Sequence, residues 1–120
     1  MPGHRVFADI DAATSVHEEG DPGDAGAIPA KGSFVNLITG ASGETRTLGD
    51  PGGSGQFITL HLLTDGGGDC VVTCASAVNV TGNTVLTFAD ATDLWVGISI
   101  RDGAGTFAWR EIQNDGVALS

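Results

Sequence analysis

Hydrophobic and polar residues alternate with a period of two over residues 94–112, near the end of the chain. In the first half of this stretch, large aliphatic side chains take every second position: Leu94, Val96, Ile98 and Ile100. A Gly-rich loop at residues 101–105 precedes a second half that places Phe107 and Trp109 on one face. This pattern predicts a β-hairpin. If the aliphatic face is the buried one, Trp95 points outward and offers a protein contact. The alternative is that Trp95 covers a loop or lies in a second core layer.

A second alternating stretch, residues 56–64, is substantially apolar on both faces. One face carries Ile58, Leu60 and Leu62, and the other carries Phe57, Thr59, His61 and Leu63. A strand of this kind is central in its sheet or lies at a subunit contact, because both faces need cover. Shorter strands are predicted at residues 34–39, 44–48, 70–75 and 84–88.

Gly, Asp and Asn separate these runs, and the runs recur every 8 to 12 residues or so, a spacing typical of all-β proteins. We therefore predict an all-β fold, a small β-sandwich or barrel of about seven or eight short antiparallel strands. We read the turn at residues 65–69 as closing a hairpin. The chain has 120 residues, enough for one domain.

Residues 1–33 show no helical or strand period and are dominated by acidic residues, Gly, Pro and Ala. We divide the chain into an extended N-terminal arm, residues 1–33, and an all-β domain, residues 34–120. The arm carries side chains of anchor size, Val6, Phe7 and Ile10. It is either a free tail or an arm that becomes ordered on a neighbouring subunit or a larger surface. We expect removal of residues 1–33 to leave the fold intact and to weaken attachment.

The chain is strongly acidic, with 5 Lys and Arg against 15 Asp and Glu and a formal net charge of −10. Such a surface repels phosphates, so no direct nucleic-acid partner is expected. The sequence contains no apolar run long enough for a membrane helix and no secretory signal pattern, which predicts synthesis in a cytoplasm without membrane insertion. Cys70 and Cys74 would lie about 13 Å apart on one strand face. That separation is too long for a disulfide, so they are predicted to be buried thiols.

Candidate chemistry is sparse, and no enzymatic activity or cofactor is expected. His61 lies mid-strand, where a packed or interface role is favoured over catalysis, although a triad including it can be constructed formally. Two acidic pairs flank short loops, Asp65 with Asp69 and Asp90 with Asp93. Carboxylates at this spacing can ligate calcium, but Asp is also a common turn residue for local reasons. No metal ligand set has a recognisable spacing.

Four stretches carry a resemblance to a known type of protein: ETRTLGDPGGSGQ, LLTDGGGDCVVTCAS, GNTVLTFADATDLWVGISI and AWREIQNDGVALS. From residue 44 to residue 120 the chain resembles small all-β proteins of tailed-bacteriophage structural modules. These are capsid decoration (cement) proteins or related domains of head and tail fibres. Their motifs are turn and strand patterns without catalytic residues. The acidic segment at residues 1–33 is a departure that the resemblance does not explain.

The resemblance implies a virion protein that sits on the outside of a capsid, commonly as a homotrimer, and braces neighbouring major capsid subunits. Its partners would be the major capsid protein and further copies of itself. The candidate capsid or subunit contacts are Val6, Phe7, Ile10, Phe57, Leu63 and Trp95. An alternative is a fibre or tail module that recognises a host glycan or receptor. That function would need an exposed aromatic platform, for which Trp95 and Trp109 are the candidates.

Overall fold

A computed structural model describes residues 17–120 of the chain. The candidates Val6, Phe7 and Ile10 therefore lie outside the described residues. The described part contains ten strands and no helix, so the all-β prediction is confirmed and the strand count is higher than expected. The strands are β1 Glu18–Glu19, β2 Gly26–Ile28, β3 Phe34–Thr39, β4 Glu44–Leu48, β5 Phe57–Asp65, β6 Cys70–Cys74, β7 Val85–Phe88, β8 Leu94–Gly103, β9 Thr106–Asp115 and β10 Ala118–Leu119.

The strands form two five-stranded sheets. Sheet A has the order β1-β3-β5-β8-β9, and sheet B has the order β10-β7-β6-β4-β2. No closure into a barrel is found between residues 17 and 120. From β1 to β6 the chain alternates between the sheets, so strands two apart in sequence pair in parallel. Four of the eight pairings are parallel, which corrects the antiparallel prediction.

The turn at residues 65–69 consequently does not close a hairpin, because it carries the chain from sheet A into sheet B. It lies directly on the preceding turn between β3 and β4. The Gly68 N–H donates to the Gly40 carbonyl at 3.1 Å, and a Cβ at Gly68 would meet the backbone of Ser42. Glycine at this position therefore permits the close stacking of successive turns, since any side chain would push them apart.

The inner faces of both sheets form one hydrophobic core. Ile58, Leu60 and Leu62 of β5 are fully buried, and β5 is the middle strand of sheet A, as the sequence predicts. Cys70 and Cys74 are buried free thiols, also as predicted. Burial raises the pKa of Cys70 to about 11 and that of Cys74 to about 12, so both remain protonated at neutral pH.

Strand β8 presents the opposite face to the core from the one expected. Trp95, Gly97 and Ser99 point inward, while Leu94, Val96, Ile98 and Ile100 lie half-buried on the other side. Trp95 is fully buried, and its indole Nε1 donates to Glu111 Oε1 at 2.8 Å. Gly97 makes this possible, because the Trp95 ring lies where a Cβ at Gly97 would stand, 2.5 Å from Cη2. The predicted outward orientation of Trp95 is therefore wrong.

Residues 17–33, which the sequence assigns to the arm, take part in both sheets. Strand β1 pairs with β3, and β2 pairs with β4. Ile28 and Ser33 are buried. The β-structure thus begins well before residue 34.

Arg46 of β4 holds this N-terminal segment to the sheets. Its side chain is fully buried and forms a bidentate pair with Asp21, with Nε to Oδ1 at 2.8 Å and Nη2 to Oδ2 at 2.9 Å. The guanidinium also donates to Glu44 Oε1 at 3.0 Å and to the Ile38 carbonyl at 3.1 Å. A buried guanidinium with carboxylates and carbonyls around it is a satisfied charge.

Candidate protein-binding surface

The side of sheet A that faces away from the core is a broad apolar surface, which we call the outer A face. Three of the five exposed large hydrophobic residues in the described part lie on it: Ile38 at 48%, Phe57 at 54% and Leu63 at 51% exposure. The face includes Glu18, Phe34, Asn36, Ile38, Phe57, Thr59, His61, Leu63, Leu94, Val96, Ile98, Ile100, Arg110 and Asp115. The structure thus places two sequence candidates, Phe57 and Leu63, on one exposed surface.

Strand register orders this surface into rows. Phe57 lies beside Ile98, and Ile98 lies beside Arg110. Glu18 lies beside Phe34, and Phe34 lies beside Thr59. The aliphatic residues of β8 form a row between the middle strand β5 and the edge strand β9, and each of them is half-buried. The result is an apolar strip flanked by polar side chains, an arrangement typical of protein contacts.

Charged side chains in register with the face stand at its two edges. Glu18 is on β1 at one edge, and Arg110 and Asp115 are on β9 at the other. Arg110 is half-buried, and its Nε has no hydrogen-bond acceptor within the described part of the chain. Such a group is a candidate for a bond to an incoming partner, because leaving a buried donor unsatisfied is costly.

His61 lies in the middle of the outer A face and is held by its neighbours. Its Nδ1 is 2.8 Å from Asn36 Oδ1, and Asn36 Nδ2 donates to Glu18 Oε1 at 3.0 Å. With the amide oriented in this way, Nδ1 of His61 is the donor. The Phe34 ring lies 6.3 Å away at a tilt of 57°. These contacts suit a packed surface side chain, and no Ser or Cys nucleophile is bonded to His61 between residues 17 and 120.

One carboxylate of each acidic pair serves a local turn. Asp65 Oδ1 accepts from the Gly67 N–H at 2.8 Å. Asp93 Oδ2 accepts from the Ala89 and Asp90 N–H groups at 3.0 and 3.1 Å. Within the described range there is no group of three or more His, Cys, Asp or Glu side chains arranged to hold a metal ion.

The two tryptophans do not form a platform for a sugar. Trp95 is fully buried, and Trp109 is 2% exposed with its Nε1 donating to the Gly49 carbonyl at 3.0 Å. Both indole rings belong to the core. The glycan-binding alternative therefore loses the aromatic residues on which the sequence would base it.

Arg110 is the residue of this surface that sequence reasoning missed. In the sequence it stands between Trp109 and Glu111 and indicates only a polar or interface-facing side of β9. Its place in a row with Ile98 and Phe57 depends on the registers of two strand pairs. No local signal reports such a register, because a register is a property of paired strands.

No protein-family model, curated protein or solved structure matches the chain. Residues 17–120 include no helix of a length and hydropathy that would cross a membrane.

Proposed function

We propose that the protein is a structural component of a virion that binds the outer surface of a tailed-phage capsid and braces neighbouring major capsid subunits. The observation that carries the proposal is the outer A face, a wide apolar surface on a chain with a net charge of −10. The resemblance of residues 44–120 to capsid decoration proteins supplies the context. A role in bracing requires contact area and a rigid body, and it requires no catalytic group.

The two sheets supply the rigid body, because their inner faces share one packed core. Exposed Phe57 and Leu63 supply anchors of the kind that dominate protein contacts. The protein acts as a homo-oligomer, which we propose to be a trimer. Trp95 has no part in these contacts, since its side chain is enclosed.

Val6, Phe7 and Ile10 remain candidates for contact with the capsid. Ordering an extended segment costs about 1–2 kcal/mol for each residue that is fixed. These apolar side chains must therefore be buried on the capsid if the segment is to strengthen attachment.

The test is binding to shells assembled from the major capsid protein encoded in the same genome. We expect the wild-type protein to co-sediment with the shells and to raise the temperature at which they disrupt. The double variant Phe57→Ser, Leu63→Ser should bind about tenfold or more weakly, because it removes two exposed apolar anchors that either contact the capsid directly or hold together the oligomer that contacts it.

Val80→Ser is the matched control, since Val80 is 92% exposed but lies outside sheet A. This variant should bind as the wild type does. Wild-type protein that fails to co-sediment with the shells would contradict the proposed function. Full binding by the folded double variant would show that the outer A face plays no part in the proposed function.

A further inference from the structure

We propose that the outer A face binds a second copy of this chain, with Glu18 of one copy beside Arg110 of the other. This inference deepens the proposed function and rests on it for the role of the assembly in the virion. It names the occupant of the face and the pair of residues that orients the two copies.

The charged and apolar side chains of the outer A face follow a definite order across sheet A. In the order of the sheet, Glu18 on β1 is followed by a largely apolar middle on β3, β5 and β8, which also carries Asn36 and His61, and then by Arg110 and Asp115 on β9. Glu18 and Arg110 are four strand spacings apart across the sheet, about 19 Å, and about 7 Å apart along the strands, because Glu18 is in the row of Val96 and Arg110 is in the row of Ile98. The face therefore carries the Glu18 carboxylate at one edge and the Arg110 guanidinium at the other, where Asp115 lies two rows away from Arg110 along β9.

A surface with this layout is complementary to itself. When a second copy is turned so that its β1 edge lies over the β9 edge of the first, Glu18 meets Arg110. The apolar middle of one copy then covers the apolar middle of the other. In a two-fold pair the charge contact occurs twice and one copy covers the whole face of the other. In a ring the two edges of the face contact two different copies, so the charge contact occurs once at each interface and each neighbour covers only part of the apolar middle.

The hydrogen-bonding state of both side chains supports the pair. Arg110 Nε is buried without an acceptor among the described residues. On Glu18, Oε1 accepts from Asn36 Nδ2 at 3.0 Å, and Oε2 accepts no hydrogen bond from the described residues. An Arg–carboxylate contact would satisfy the guanidinium with a charge-assisted bond.

The net charge of the chain also favours this face as the site of self-association. Two copies of a chain with a charge of −10 repel each other. Association is therefore favoured where apolar side chains meet and where a cation faces a carboxylate. The outer A face meets both conditions through Phe57, Ile98 and Arg110.

The size of the face lies at the lower end of the range for specific contacts. The five strands of sheet A have 2, 6, 9, 10 and 10 residues, so at about 3.3 Å per residue and about 4.8 Å per strand the face measures roughly 600 Å². Specific protein interfaces bury about 800 Å² on each partner.

The experiment measures the molar mass of the full chain by light scattering without shells, over a range of concentrations. We expect the wild type to form an oligomer. For Glu18→Arg and for Arg110→Glu we expect the dissociation constant of the oligomer to rise about tenfold or more. Both substitutions in one chain should restore the wild-type mass, because the charges are exchanged and remain paired. Circular dichroism of each variant verifies the β-fold.

Matched controls carry the same charge reversals elsewhere. Arg101→Glu lies on the same hairpin, but Arg101 is exposed on the opposite side of β8 and bonds to the Gly103 carbonyl. Asp90→Arg is on an exposed loop. Both controls should keep the wild-type mass.

Several results would overturn the inference. These are a monomeric wild-type protein, unchanged mass in both single variants, or a double variant that stays dissociated. Tighter self-association after deletion of residues 1–16 would indicate that this segment, and not a second copy, binds the outer A face in the full chain. Variants with unchanged mass that lose shell binding would assign it to the capsid. If the molar masses change as expected but the protein does not bind the shells, the inference holds and the proposed function is contradicted.

A mixture of the Glu18→Arg and Arg110→Glu chains decides the symmetry. In a two-fold pair of unlike chains both charge contacts are complementary, whereas any ring of three contains at least one contact of like charges. Failure of the mixture to associate, with the double variant restored, would support the proposed trimer. A dimer formed by the mixture would overturn three-fold symmetry and keep the contact itself.

Discussion

At the scale of single residues, Arg46 and Asp21 link two parts of the chain that are 25 positions apart. Arg46 lies in β4, while Asp21 lies in the connection between β1 and β2. Removing one partner of such a buried pair leaves the other charge in a region that cannot solvate it. Burial alone raises the pKa of Asp21, but hydrogen bonds from Arg46, Gly23 and Ile38 outweigh it and hold this pKa below its ordinary value of 3.8.

This pair predicts a loss of stability in acid. Because the folded pKa of Asp21 is lowered, its contribution is fully present above about pH 5 and is lost as the pH falls through the folded pKa. Asp21→Asn should reduce the free energy of unfolding at pH 7 by about 3 kcal/mol. Between pH 7 and pH 3 the variant should lose less stability than the wild type, as measured by urea unfolding.

Asp90→Asn provides the comparison, because Asp90 is exposed and its carboxylate makes no hydrogen bond to the described residues. It should follow the wild-type pH profile. Identical acid sensitivity of Asp21→Asn and the wild type would show that another group governs the loss.

At the scale of elements, strand β8 shows how one small residue selects the buried face. Both faces of β8 carry apolar side chains, so alternation alone leaves the choice open. The inner face combines the largest side chain, Trp95, with the smallest residue, Gly97, and the ring covers the glycine. This combination fills the core and places Leu94, Val96, Ile98 and Ile100 on the outer A face.

Gly97→Ala should therefore destabilise the protein, because the added methyl group would meet the enclosed Trp95 ring at 2.5 Å. Overpacking of this kind costs about 1–3 kcal/mol. Urea unfolding monitored by tryptophan fluorescence measures the loss. Gly52→Ala, where nothing lies within 4 Å of the added Cβ, should change stability little. Equal stability of the two variants would refute the packing argument.

At the scale of the whole molecule, the first six strands alternate between two sheets. Each strand from β3 to β6 pairs with the strand two before it in the sequence. The N-terminal strands β1 and β2 are thus the first members of their sheets. They pair with the edges of β3 and β4, and the connection between them places Asp21 beside Arg46. Residues 17–33 are accordingly part of the folded body.

Two truncations test this arrangement. Deletion of residues 1–16 should leave the urea midpoint unchanged, because every described strand is retained. Deletion of residues 1–33 should lower the midpoint strongly or prevent folding, since it removes β1, β2 and Asp21 and leaves Arg46 buried without that partner. This expectation replaces the sequence-based one. A fully stable protein beginning at residue 34 would show that the two strands are dispensable.

The sequence by itself determined the features that depend on local residue patterns. The all-β class follows from the period-two alternation, and the predicted strands at residues 34–39 and 44–48 coincide with β3 and β4. The two faces of β5 and the burial of Cys70 and Cys74 follow from the same alternation. These features depend on neighbouring residues alone, so one sequence suffices to predict them.

Only the tertiary structure decided which strands pair, because strand pairing joins residues far apart in sequence. It placed β5 and β6 in different sheets, although the glycine turn between them suggests a hairpin. It turned Trp95 inward over Gly97, since burial depends on how the ring fits the core rather than on alternation. It also brought Glu18 and Arg110 to opposite edges of one face, and no local pattern encodes that relation.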